Sequence, residues 1–125
     1  DFFNQKELIE LISIFKDRSS SLNEISSNVL QMTSVKKNFT NEEKLILENF
    51  EKYKSSICDK FSSIIEWDEL NIENKIKEVI EYYQIDFKSI GQPLRLLITG
   101  SLFGPSLSKI IKVLGLQKTI KRINR

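Results

Sequence analysis

Arg95, Gly104, Pro105 and Leu107 lie close together in a stretch that opens with Gln92-Pro93-Leu94 and passes through Thr99-Gly100. Their side chains supply complementary chemistry. A guanidinium presents five N–H donors in one plane and a flat face for stacking. Glycine lets main-chain groups approach a ligand closely, and a helix opening just after it leaves N-terminal N–H donors unspent. Leu107 adds an apolar platform. A flat, hydrogen-bonding, anionic ligand fits such a set, and an unpaired nucleotide is one. Two plainer readings stay open: Arg95 lies near an expected helix start and could snorkel over the core, and Leu107 also belongs to an apolar stripe.

Charge points the same way. From Phe87 to Arg125 there are eight basic residues (Lys88, Arg95, Lys109, Lys112, Lys118, Lys121, Arg122 and Arg125) and no acidic one. The residues before Phe87 carry 11 basic against 17 acidic side chains, so a net charge of +2 conceals +8 on one segment and −6 on the other. Halves so different usually face different partners. Clustered Lys and Arg attract a polyanion by releasing its condensed counterions, which makes Lys118 and Arg122 candidate RNA contacts.

Other chemistries lack their residues. There is no His and a single Cys, so no conventional zinc site and no Ser-His or Cys-His arrangement can be built. No metal and no catalytic residue is expected. Cys58 cannot form an internal disulfide and reads as a structural thiol in a helix. No signal peptide, no apolar run long enough to span a bilayer and no initiating Met is present, which reads as a piece of a larger cytoplasmic protein.

The elements that must position Arg95 are helices. Leu8, Leu11, Ile12 and Phe15 make a first apolar stripe, broken at Lys16-Asp17-Arg18-Ser19-Ser20. Ser21 with Glu24 and Thr40 with Glu43 form capping boxes ahead of further stripes. The run from Thr40 to Ile65 is long enough for one bent helix or two, with a break expected at Tyr53 to Ser56. Another helix is expected from Ile72 to Gln84, capped by Asn71. Pro93 is expected at the first position of a helix that Gly100 closes, and Pro105 to open one that Gly115 closes. Leu107, Ile110, Ile111 and Leu114 then fall on one buried face. The chain is expected to be all-α, in two small packed helical modules at 1–66 and 67–125. Trp67 at the junction is expected to be packing between them.

The ordered pattern Gln92-Pro93-Leu94-Arg95, Thr99-Gly100, Gly104-Pro105, Leu114-Gly115 and Lys121-Arg122-Ile123 resembles the C-terminal end of bacterial glutamyl-tRNA synthetases, which are class I aminoacyl-tRNA synthetases. In that family the segment belongs to the anticodon-binding region. The resemblance is specific from about Trp67 to Ile123. Upstream it rests on a looser helical pattern and the match Lys16-Asp17-Arg18-Ser19-Ser20-Ser21-Leu22-Asn23-Glu24. It implies that Arg18 approaches the third anticodon base. A guanidinium suits the acceptors of cytosine and clashes with the N–H donors of guanine, the bases that end glutamate and glutamine anticodons. Arg18 as a solvated residue paired with Asp17 or Glu24 remains open. The resemblance further implies that Arg95, Gly104, Pro105 and Leu107 meet the other two bases. The family often has Ser or Thr where this chain has Gly104, so a hydrogen bond there must come from the main chain. Phe103 is not a family requirement, although an aromatic on a glycine-flanked loop can stack.

What the resemblance implies for the whole is a monomeric cytoplasmic glutamate–tRNA ligase. Its catalytic domain, elsewhere in the same polypeptide, uses ATP, and the HIGH-like and KMSKS-like signatures of that domain are absent here. This chain itself needs no cofactor; it is expected to bind the tRNA(Glu) anticodon stem-loop and to be inactive alone. The alternatives are a helical protein-interaction module with a basic docking end, and a peripheral membrane domain using the helix from about Gln117, where Ile120 and Ile123 make only a small apolar stripe.

Overall fold

The computed structural model describes residues 2–16, 21–34, 36 and 38–125. Six helices follow one another: α1 (Gln5–Lys16), α2 (Leu22–Thr33), α3 (Asn41–Ser62), α4 (Glu69–Tyr83), α5 (Lys88–Thr99) and α6 (Leu107–Ile123). Among the described residues there is no strand, so the all-α expectation holds.

Local hydrogen bonds start most of these helices. The first N–H groups of a helix have no partner inside it, and a side-chain oxygen one turn back satisfies them. Thr40 and Glu43 form the full reciprocal box, with Glu43 N donating to Thr40 Oγ1 (3.1 Å) and Thr40 N to Glu43 Oε1 (2.9 Å). Ser21 Oγ accepts from Glu24 N at 3.1 Å. Asn4 and Glu7 make another reciprocal pair at the start of α1 that the pattern did not single out.

Four expected boundaries shift. Asp68, not Asn71, caps α4: its Oδ1 accepts from Asn71 N at 2.8 Å, while Asn71 Nδ2 donates to Glu66 O. The helix α3 runs unbroken through Tyr53 to Ser56, where Tyr53 packs edge-on against Tyr83 and Ser56 Oγ lies 2.6 Å from Tyr83 Oη. Pro93 sits inside α5, because Asp86 opens the helix earlier by accepting from Ser89 N (3.0 Å) and Ser89 Oγ (2.7 Å). At the sixth position of the helix Pro93 leaves Ser89 O without its usual N–H partner, and its ring is buried, as are Ile90 and Leu94. Finally, α6 begins at Leu107 and continues past Gly115, whose non-helical φ of 80° and ψ of 166° divide it by a kink. A left-handed φ of that kind favours glycine.

One continuous hydrophobic core joins residues from both sides of the expected 66/67 division. Phe50 and Phe61 of α3, Ile72 of α4, Leu94 and Ile98 of α5, and Ile110 and Ile111 of α6 are fully buried in it. Trp67 performs the packing role expected of it: its ring meets Phe61 edge-on at 6.0 Å, and Nε1 donates to Ile111 O at 3.3 Å. Cys58 is half-buried and burial raises its thiol pKa, as suits a structural thiol.

The C-terminal ends of α2 and α5 meet a set of cations. Arg122, 2% exposed, donates from Nη1 to Met32 O (2.8 Å) and Ile98 O (2.5 Å). Arg125 donates to Lys36 O (2.7 Å) and Leu97 O (2.5 Å), and Lys36 Nζ to Gly100 O (3.2 Å). Carbonyls in the last turn of a helix lack N–H partners and carry the negative end of its dipole, so cations are stabilised there. Burial lowers the pKa of Arg122 to about 10, which still leaves it charged at neutral pH. Its ring partner is Phe3, 5.4 Å from the guanidinium carbon.

Replacing Arg122 by Met should strand these carbonyls and destabilise the fold by about 3 kcal/mol, a drop of roughly 10 °C in Tm. Arg122→Lys should recover only part of that, because an ammonium lacks the planar fork. A calorimetric Tm unchanged in both variants would show that the carbonyls find other donors.

Glu7 and Glu43 give the fold an acid limit. Burial pushes the Glu7 carboxyl up, but hydrogen bonds from Lys118 and Asn4 outweigh it and leave the pKa below its ordinary 4.5. For Glu43 the Thr40 N–H leads, opposed by burial and aided by Lys36. Where folded pKa values are depressed, the unfolded chain binds more protons, so this stability is present above about pH 4.5 and is lost as pH falls through the lowered values. A Glu7→Gln, Glu43→Gln double variant should therefore show a shallower loss of unfolding free energy below that pH in denaturant titrations.

Candidate nucleic-acid interface

The side of the molecule where α2, α5 and the 101–106 connection meet holds a cleft of about 250 Å³. Asn28 and Gln31 of α2 form one wall, Arg95 and Thr99 of α5 the other, and Phe103 and Gly104 the rim. Glu24 and Phe15, on either side of the 17–20 connection, also border it.

Arg95 is half-buried and directed by the loop. Its Nη1 donates to Pro105 O at 2.7 Å, a bond that fixes the plane of the guanidinium at the cleft wall. Gly104 makes this approach feasible: a Cβ there would stand 3.2 Å from Arg95 Nη1 and crowd it. The missing hydroxyl at Gly104 thus has a steric counterpart.

Hydroxyl groups hold the first half of the loop, and Arg95 holds its far end at Pro105. Thr99 Oγ1 donates to Arg95 O at 2.7 Å and accepts from Ser101 N at 3.2 Å. Ser101 Oγ in turn donates to Phe103 O (3.0 Å) and accepts from Phe103 N (3.3 Å). Side-chain bonds of this kind replace the ladder partners a loop lacks.

Of the residues expected to contact RNA, Arg95, Gly104 and Pro105 come together here. Three others are placed elsewhere. Leu107, 5% exposed, is in the core with Ile110, Ile111 and Leu114, because the stripe they share points inward. Lys118 Nζ bonds to Glu7 Oε2 at 2.7 Å and lies 4.9 Å from the centre of the Phe3 ring, joining α6 to α1. Arg122 is buried against the carbonyls of α2 and α5. The outward positive charge of α6 rests instead on residues such as Lys109 and Lys112, both exposed and on the side away from the buried stripe. Arg18, expected at the third anticodon base, lies outside the described residues, as does Asp17.

No group of His, Cys, Asp and Glu among the described residues could hold a metal ion, and no described helix is long and apolar enough to cross a membrane.

Comparison with known proteins identifies relatives of the chain and of its fold. A glutamate–tRNA ligase of Buchnera aphidicola subsp. Acyrthosiphon pisum is 30% identical over 123 residues, covering 91% of this chain and 25% of the relative. One from Wigglesworthia glossinidia brevipalpis is 32% identical over 139 residues, covering 98% of this chain and 28% of the relative. The chain therefore spans about a quarter of the length of the curated relatives it matches. In fold it is similar to part of a crystal structure of a glutamate tRNA ligase from Elizabethkingia meningosepticum in complex with its amino acid, with a TM-score of 0.81 and 19% identity over 98% of this chain and 25% of that one. The family model described as an anticodon binding domain matches residues 1–125, so this chain, with Arg95 set between its helices and its tight loop, belongs to the anticodon binding domain family.

Proposed function

We propose that this chain is the anticodon-reading region of a glutamate–tRNA ligase, and that the Arg95 cleft receives unpaired bases from the anticodon loop of tRNA(Glu). The observation that carries the reading is the bond from Arg95 Nη1 to Pro105 O at the edge of an open cleft. It holds a charged, planar donor group still before a ligand arrives, which lowers the ordering cost of binding. Unpaired bases splayed out of an RNA loop are read by such groups through hydrogen bonds and stacking. Exposed Lys109 and Lys112 would draw in the phosphate chain. Glutamate activation with ATP belongs, in this reading, to a catalytic domain elsewhere in the same polypeptide, a monomer of the cytoplasm; this chain alone binds and does not aminoacylate.

Binding of the chain to tRNA(Glu), followed by fluorescence anisotropy, should weaken about twentyfold between 50 and 200 mM salt, as for roughly three neutralised phosphates of an unpaired strand. Arg95→Lys should weaken it about tenfold at every salt concentration, whereas Lys109→Ala should mainly flatten the salt slope by about one. Salt-independent binding, or a preference for acidic polypeptides over RNA, would favour a protein-docking module instead.

Arg18 is proposed to read the third anticodon base. Arg18→Gln in the full-length ligase should narrow the preference for C over G at that position, measured as the ratio of kcat/KM for the two transfer RNAs. An equal loss on both would remove Arg18 from the reading set.

A further inference from the structure

Phe103 leaves its ring in solvent, 79% exposed, on a loop that is otherwise tightly bonded. Exposed single hydrophobic residues are common and by themselves mean little. Two further observations separate this one from Phe2, Tyr82 and Phe87, which are also exposed. First, Phe103 borders the cleft between α2 and α5, which those three do not, Phe87 lining a separate pocket on the other side of Arg95 toward α4. Second, its own main chain is clamped from both sides by one hydroxyl, with Ser101 Oγ bonded to Phe103 O at 3.0 Å and to Phe103 N at 3.3 Å. On one side Thr99 Oγ1 holds Ser101 N, and on the other Arg95 Nη1 holds Pro105 O. An aromatic ring is thus carried outward on a segment whose backbone is already ordered, at the edge of a cleft that also holds a guanidinium bonded to the same loop.

We infer that Phe103 is a stacking platform for one unpaired nucleobase of the bound RNA, a role that rests on the anticodon reading proposed above. Every base has a π-face, so the ring contributes affinity and register and not base identity. Discrimination is left to hydrogen-bonding groups such as Arg95. The arrangement divides labour across the cleft: the ring positions a base flat, and the guanidinium reads or anchors what lies beside it. A buried leucine cannot supply the first of these, and Leu107 is turned into the core.

The test uses the 125-residue chain and an RNA hairpin carrying the seven-nucleotide anticodon loop, with 2-aminopurine introduced at one loop position at a time. The wild-type chain should quench one position through stacking. Phe103→Leu should abolish that quenching and weaken binding about tenfold, while Phe103→Tyr retains both. Thermal unfolding of the two variants should match that of the wild type, because the ring packs on little in the unbound chain. Equal quenching and affinity in wild type and Phe103→Leu would overturn the inference and leave the anticodon reading standing. Failure of the wild-type chain to bind the hairpin at low salt would overturn both.

Discussion

Two helix C-termini, those of α2 and α5, converge on one buried guanidinium. Carbonyl oxygens at a helix end are the most electronegative part of the backbone, and bringing two such ends together without water is unfavourable unless cations lie between them. Arg122 meets that need with bonds to Met32 O and Ile98 O, and Arg125 and Lys36 extend the same arrangement to Leu97 O and Gly100 O. The compensation is main-chain carbonyl for cation. It leaves the direction of α2 relative to α5 tied to the positions of three cationic side chains, Arg122 the most buried of them.

That direction is what makes a site. The walls of the cleft are the outward faces of these same two helices, with Asn28 and Gln31 on one and Arg95 and Thr99 on the other. The rim is a loop whose hydroxyl groups serve its own backbone. Basic residues therefore divide into two populations. Arg122, Arg125 and Lys118 serve internal bonds, and Lys109 and Lys112 face solvent. A segment charge of +8 overstates what a ligand meets.

Much of this was legible in the residues, and the failures share a cause. The Thr40–Glu43 box and the inward stripe of Leu107, Ile110, Ile111 and Leu114 follow from spacing over a few residues, and the helices obey it. Arg95 and its loop could be found because the guanidinium, glycine and proline lie near one another in the chain. Arg122 could not, since a cation near an apolar stripe normally points to water. Its burial is decided by carbonyls 24 and 90 residues away, which no local pattern encodes. Lys118 misled for the same reason, its partner Glu7 being 111 residues distant. Pro93 misled locally: two starts competed for α5, and Asp86 with Ser89 took the earlier one.

The link from Lys118 to Glu7 also bears on the order in which the chain acquires its shape. Contacts between remote segments require loop closure before they repay any entropy, and such topologies fold slowly. The hairpin of α1 and α2 can form early from neighbouring residues, but the partner that ties it down is made some hundred residues later in synthesis. Until α6 leaves the ribosome, the nascent polypeptide holds its first helices without their anchor, and Phe3, which Lys118 and Arg122 later cover, stays open to chaperones and proteases.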